Sequence, residues 1–272
     1  MSILPGPSLA PVELVELADL NLAESFREHA RWNAVGIVDE REDTLRTLNA
    51  TRFAAGMFNT VVRTGPGPSD PLSWLAAQRA YFSAYQRGFS VYLRGARDAD
   101  LAPACSALGM TLADTSPGMA CDAPLPVPPL DPSIELEQVE TLTSMHKLIA
   151  VMASAYVSLG LPEGVTHKIF GEPERLLRPH LAWFLARHEG APAATAMVLF
   201  SHSIAGVYWV ATRPELRGLG LGEACTRAAT NAAFARGARA VILQASRMGY
   251  RIYERMGYRT ITSYPWYLSA RQ

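Results

Sequence analysis

Two periods of hydrophobic spacing alternate along residues 133–272. Ile134 to Glu137 alternates apolar and polar residues, and Ile134 to Val139 reads as a strand. Thr143 to Leu159 repeats its apolar residues three and four apart, as a helix does, and Gly164 to Leu177 predicts a second helical stretch. Strands over His180–Arg187 and Ala193–Ser201 flank the turn-forming Glu189-Gly190, and Gly206–Thr212 (GVYWVAT) is a short, strongly β-forming run. A glycine-rich turn then leads into a helix over Leu221–Arg236, stopped by Gly237 where a left-handed residue is expected. Ala240–Gln244 predicts a buried strand, Met248–Met256 a short helix ended by Gly257, and Tyr258–Leu268 a last strand.

The first half repeats the end of that order. Gly56–Thr64 (GMFNTVVRT) parallels GVYWVAT, Leu72–Gln86 is helical up to Arg87-Gly88, and Phe89–Leu93 is a strand. A helix over Asp98–Leu108 ends at Gly109, and Thr111–Cys121 closes the series as a strand. The helix-ending glycines at 88 and 109 match those at 237 and 257 to within one residue of spacing, which points to a duplication. Between the halves runs APLPVPPLDP, residues 123–132, whose five prolines can neither continue a helix nor sit in a central strand. We expect domains over 1–123 and 133–272 joined by an extended linker at 124–132.

Composition narrows the class. Hydrophobic residues make up 49% of the chain and charged ones 18%, enough apolar material for two packed cores. Twenty-five basic residues balance twenty-five acidic ones, so no net field gathers nucleic acid or anionic lipid, and neither is expected as a partner. Cys105, Cys121 and Cys225 form no metal-binding or disulfide spacing, so no metal is expected and a reducing, cytoplasmic compartment is. Residues 1–7 carry no signal-peptide pattern, and no apolar stretch approaches the ~20 residues a bilayer requires. Self-association is left open.

The chemistry concentrates at Val210-Ala-Thr-Arg-Pro-Glu-Leu-Arg217-Gly218-Leu219-Gly220-Leu221-Gly222-Glu223. A β run stops at Pro214, and three alternate glycines lead directly into a helix. Glycine admits positive φ and close backbone approach to a ligand, and the first amides of a helix are unpaired at the positive end of its dipole. Such a turn suits a phosphate. A dinucleotide fingerprint fails because Glu223 stands where its last glycine belongs, and the Gly-Lys-Ser/Thr ending of a P-loop is absent. Alone, the glycines are equally compatible with a plain connecting turn.

Arg217-Gly-Leu-Gly220-Leu-Gly222 matches the pyrophosphate loop of the GNAT superfamily of acyl-CoA N-acyltransferases, [RQ]-x-x-G-x-[GA]. The element order of residues 133–272 resembles a complete GNAT domain, and Tyr253, Gly257 and Tyr258 match a second family motif. That motif often has Asn seven residues before the tyrosine, where this chain has Ser246. The resemblance implies an α/β (α+β) fold of tandem GNAT-like domains, each a mixed, mostly antiparallel sheet flanked by helices, the first degenerate. It implies acetyl-CoA as co-substrate and a small-molecule or peptide amine as acceptor, with direct transfer in a ternary complex. A non-catalytic acyl-CoA sensor, a hydroxyl acceptor and a longer acyl donor are the alternative readings.

Carried over by residue, backbone groups of Val210 and Thr212 hold the pantetheine arm. Amides of Arg217, Gly218, Leu219, Gly220, Leu221 and Gly222 hold the pyrophosphate, with Leu219 and Leu221 turned into the core. Ser246 stands in the asparagine's place, and Tyr253 protonates the departing thiolate. A phenol with ordinary pKa ~10 can do this at neutral pH. No base is identified: His202, Glu163, His167, Tyr208 and Trp209 stay unassigned, one of the last two being expected to face the acceptor. In the first half, Gly65-Pro66-Gly67-Pro68 replaces the phosphate loop and Cys105 the tyrosine, which implies scaffolding, an acceptor-site wall or a dimer surface rather than catalysis.

Overall fold

The computed structural model describes residues 9–53, 58–67 and 69–269, and the predicted strand over Gly56–Thr64 therefore begins outside the described residues. In chain order the elements are helix α1 (Pro11–Arg31), the hairpin β1 (Ile37–Arg41) and β2 (Thr44–Leu48), β3 (Thr60–Arg63), α2 (Pro71–Ala84), β4 (Phe89–Tyr92), α3 (Leu101–Ala107) and β5 (Thr111–Cys121). They continue with β6 (Ile134–Gln138), α4 (Leu142–Val157), α5 (Val165–Ile169), β7 (Leu181–His188), β8 (Ala191–Ser201), β9 (Ile204–Thr212), α6 (Leu221–Ala235), β10 (Val241–Gln244), α7 (Tyr250–Met256) and β11 (Arg259–Ser269). The predicted helix over 164–177 breaks after Ile169. Pro173 starts a separate 3-10 turn, since its missing amide cannot continue the α5 ladder.

The residues fall into two compact units that are not consecutive in sequence: 1–21 with 118–261, and 22–117 with 262–272. The proline-rich stretch 124–132 lies within the first of these. In that unit the strand order is β5-β10-β9-β8-β7-β6, where β5 contributes Gly118–Cys121 against Gln244–Val241. The β5–β10, β9–β8, β8–β7 and β7–β6 pairings are antiparallel, and β9–β10 is parallel. Helix α6 packs on one face through Leu221, Cys225, Ala229 and Ala233, opposite the small residues Ala186, Ala194 and Ala196 of β7 and β8. Alanines on both sides let helix and sheet approach closely. On the other face, Leu14 and Ala18 of α1 cover Ile204 and Ile242. Asn21 of the same helix donates to the Leu199 carbonyl and the Ser201 hydroxyl, and accepts from the Tyr208 phenol at 2.8 Å.

The other unit orders its strands β1-β2-β3-β4-β11, with Trp266–Ser269 of β11 antiparallel to Tyr92–Phe89 and β3 parallel to β4. Each half of the sequence thus supplies its last strand to the unit built mainly by the other half. Leu75, Phe82, Phe89, Val91, Leu101 and Cys105 form this unit's core. Sequence reading missed α1 and the β1–β2 hairpin. The spacing Leu14, Ala18, Leu22, Phe26 carries the helical signal, whereas the hairpin turns on Glu42 and Asp43, both with positive φ and neither a glycine.

Candidate active site

The site grows out of β9. It pairs with β10 only at Ala205–Val241 and Gly206–Ile242, while β10 stays paired with β5 through Gln244. Beyond Gly206 the two parallel strands part, and β9 presents residues 207–212 along an edge with no strand partner on that side among the described residues. On its other side β9 carries a β-bulge: Thr195 faces Ala211 and Met197 faces Tyr208, so two residues of β9 oppose Ala196. Trp209 sits in the bulge at φ +52°, a left-handed conformation that is costly for a bulky residue. Its carbonyl accepts from the buried Thr195 hydroxyl at 2.9 Å, and its indole packs edge-on against Tyr156 and Phe170. Tyr208 and Trp209 are both buried, at 5% and 6% exposure, because β9 is covered on both faces over residues 204–209.

At the end of β9 the chain turns through Pro214–Leu216 and the three glycines into α6. Gly218 and Gly220 have φ of +87° and +76°, which excludes most other residues. Gly222 is crowded for a different reason: a Cβ there would lie 3.0 Å from Thr212 Oγ1, so the threonine side chain would have to give way. The first backbone bond of the helix runs from the Ala224 amide to the Gly220 carbonyl. The amides just before it have no helical acceptor by position and lie at the positive end of the dipole. The Arg217 amide instead donates to the Pro214 carbonyl at 3.4 Å.

One cavity of about 410 Å³ gathers the predicted residues Val210, Thr212, Arg217, Gly218, Gly220, Leu221, Gly222, Ser246 and Tyr253. Of the predicted set only Leu219 does not line it. That side chain is 47% exposed, not buried as expected, while Leu221 is buried at 1%. Leu219 precedes the N-cap Gly220, and residues two apart at a helix start do not project onto the same face. The Arg217 guanidinium is turned toward the end of α4, donating to Ser158 Oγ at 2.5 Å. Ala155, Leu159, Leu216, Met248, Ile252, Glu223 and Arg255 complete the lining. The contribution of Ala155 and Leu159 was not legible in the motifs, because the end of α4 lies about sixty residues from the loop it meets.

Ser246 accepts from the Gly249 amide at 3.1 Å, which fixes the turn that opens α7. Tyr253, one turn along, is half-buried, and burial pushes its phenol up to about 12. Its neighbour Tyr156 is also raised, first by burial and then by Tyr253 itself. Both therefore stay protonated across the neutral range. His202, Glu163 and His167 are exposed and do not line the cavity.

In the other unit the corresponding turn is closed. Strands β3 and β4 remain paired through Val62–Tyr92, leaving no parted edge. The Arg63 guanidinium, 1% exposed, bonds both Asp100 carboxylate oxygens and lies over the Trp74 ring. A Cβ at Gly67 would meet its Nε at 2.5 Å, so the guanidinium packs directly on that turn. Pro68 lies outside the described residues. Cys105 is fully buried, and burial pushes its thiol up to about 12, far from a nucleophile's range.

Among the described residues no group of three or more His, Cys, Asp and Glu is placed to hold a metal ion. No helix among them is long and apolar enough to cross a membrane. What remains is a parted strand edge, a glycine cradle at a helix start and a protonated tyrosine around one cavity, the outline of an acyl-CoA-dependent acyltransferase. Residues 150–258 match the acetyltransferase (GNAT) family model. Whole-chain similarity extends to the GCN5-related N-acetyltransferase from Kribbella flavida, with a TM-score of 0.70 and 22% identity over 97% of this chain and 96% of that one. The GCN5-related N-acetyltransferase from Sphaerobacter thermophilus is similar with a TM-score of 0.62 and 16% identity, covering 96% and 94%. A tandem GNAT protein from the clavulanic acid biosynthesis pathway is similar with a TM-score of 0.58 and 12% identity, covering 97% of each chain. The fold is thus the tandem GNAT fold, a mixed sheet with flanking helices in each unit. A search among curated proteins finds no match.

Proposed function

We propose that this protein transfers an acetyl group from acetyl-CoA to a primary amine of a small molecule or peptide, directly and within a ternary complex. The observation that carries this reading is the single cavity on which the parted edge of β9, the 217–222 loop and Tyr253 converge. Acetyl-CoA supplies the activated thioester. Backbone groups of Val210 and Thr212 bond the pantetheine amides as an added strand would. Amides from Gly218 through Gly222 grip the diphosphate, and the Cβ-free surface at Gly222 beside Thr212 leaves the backbone reachable. Holding both reactants in one cleft supplies most of the acceleration through orientation. Tyr253 donates its proton to the departing sulfur, a role that its burial-raised pKa preserves at neutral and mildly alkaline pH. The amine must shed its own proton first, because a lysine-like amine with pKa ~10.4 is almost fully charged at pH 7.

The test is thiol release from acetyl-CoA in the presence of a panel of primary amines, with Tyr253→Phe alongside the wild type. Release dependent on an amine is expected, with turnover lowered roughly 10²-fold or more in Tyr253→Phe at little-changed acetyl-CoA affinity. Coenzyme binding without release for any amine would instead favour a sensor. Release with full turnover in the variant would take Tyr253 out of the mechanism.

A further inference from the structure

Three charged side chains line the cavity: Arg217, Glu223 and Arg255. Two are committed elsewhere. Arg217 donates to Ser158, and Glu223 accepts from Arg227 Nη2 and Nε at 2.7 and 2.9 Å. Arg255 makes no hydrogen bond or ion pair with any described residue, although it belongs to the last turn of α7 and borders the cavity. Met248, Ile252 and Arg255 follow one another at spacings of four and three, so they form one stripe along the turn and helix that bound the cleft. The stripe is apolar at Met248 and Ile252 and cationic at Arg255, and the Met248 side chain is 61% exposed.

Coenzyme A has two phosphate groups with different needs. Its diphosphate is matched by a ring of backbone amides. Its ribose 3′-phosphate stands beside a flat, largely apolar adenine and calls for a cation next to an apolar surface. Resting on the assignment of this cleft to coenzyme A, we infer that the Met248–Ile252–Arg255 stripe receives the 3′-phosphoadenosine end, with Arg255 pairing the 3′-phosphate. A planar guanidinium pairs two phosphate oxygens at once. Arg255 is therefore the group by which the protein distinguishes coenzyme A from its 3′-dephospho form.

Titration calorimetry of coenzyme A and 3′-dephospho-coenzyme A against wild type, Arg255→Gln and Arg255→Lys tests this. Wild type is expected to prefer coenzyme A by about five- to tenfold at low salt, in line with a charge-assisted pair at a partly solvated site. Arg255→Gln loses that preference by weakening coenzyme A alone, and Arg255→Lys keeps part of it. The preference shrinks in 1 M salt, where the screening length falls to about 3 Å. Equal weakening of both ligands in Arg255→Gln would mean that Arg255 serves the diphosphate, and an unchanged preference that it serves neither; either overturns the inference while leaving the coenzyme site intact. Wild type binding neither form would bring down the coenzyme assignment itself, a distinct result.

Discussion

Tyr253 owes its position to a missing side chain. A Cβ on Gly249 would stand 2.6 Å from the tyrosine Cε2 and 3.3 Å from Ser246 Oγ, yet Gly249 has an ordinary helical backbone at φ −81°. Alanine there meets no backbone strain, only the ring. Gly249→Ala is therefore expected to fold, displace the phenol and lower turnover by about tenfold or more, as misplacing a reacting group by a fraction of its own width does. Steady-state kinetics with saturating acetyl-CoA reads this directly; a variant with wild-type turnover would show that the ring's position is immaterial. The glycines of the loop differ in kind: Gly218 and Gly220 suit their positive φ, whereas a side chain at Gly222 would press on the Thr212 hydroxyl. A motif written as alternate glycines conceals two separate physical demands.

Strand β9 opens an edge by failing to stay regular. Two residues of pairing with β10 give way to a free edge, and the bulge at Trp209 bends the strand where that edge opens. The left-handed Trp209 is held by the Thr195 hydroxyl on its carbonyl and by the rings of Tyr156 and Phe170. Thr195→Val keeps the shape and removes the hydrogen bond, at a cost of about 1 kcal/mol or somewhat more for a buried pair. We expect a lower unfolding midpoint in denaturant together with weaker coenzyme binding, because a relaxed bulge narrows the parted edge. Loss of stability with undiminished coenzyme affinity would separate the bulge from the site. In the other unit, β3 stays paired with β4 through Val62–Tyr92 and the Arg63 side chain packs against the turn at Gly67.

Across the whole molecule, burial of weak acids sets the alkaline limit. Burial pushes the thiols of Cys225 and Cys105 up to about 12, one in each unit, and the phenol of Tyr253 likewise; Tyr258 and Tyr156 are raised by burial as well. In an unfolded chain, thiols ionise near ~8.5 and phenols near ~10. The unfolded state therefore releases protons first as pH rises, and stability falls with pH once the unfolded groups begin to ionise. Their contribution is complete below about pH 8 and is lost progressively toward pH 12, as the folded groups follow. Thermal unfolding midpoints should be level between pH 7 and 8 and drop steadily from about pH 9 to 11. A midpoint unchanged up to pH 11 would contradict the protonated burial of these groups.

Local chemistry was readable without coordinates. The alternate glycines, the apolar run before them, Tyr253 ahead of Gly257 and the period of α6 are short-range signals, since φ preference, helix spacing and chain breaks act over a few residues. The gathering of those motifs around one cavity, the parting of β9 from β10, the bulge at Trp209 and the face taken by Leu219 were not readable in this way. Nor was the α1 packing over Ile204 and Ile242, or the strand that each half supplies to the other unit. Strand partners are chosen by packing and backbone hydrogen bonding among segments distant in sequence, and no local preference encodes that choice.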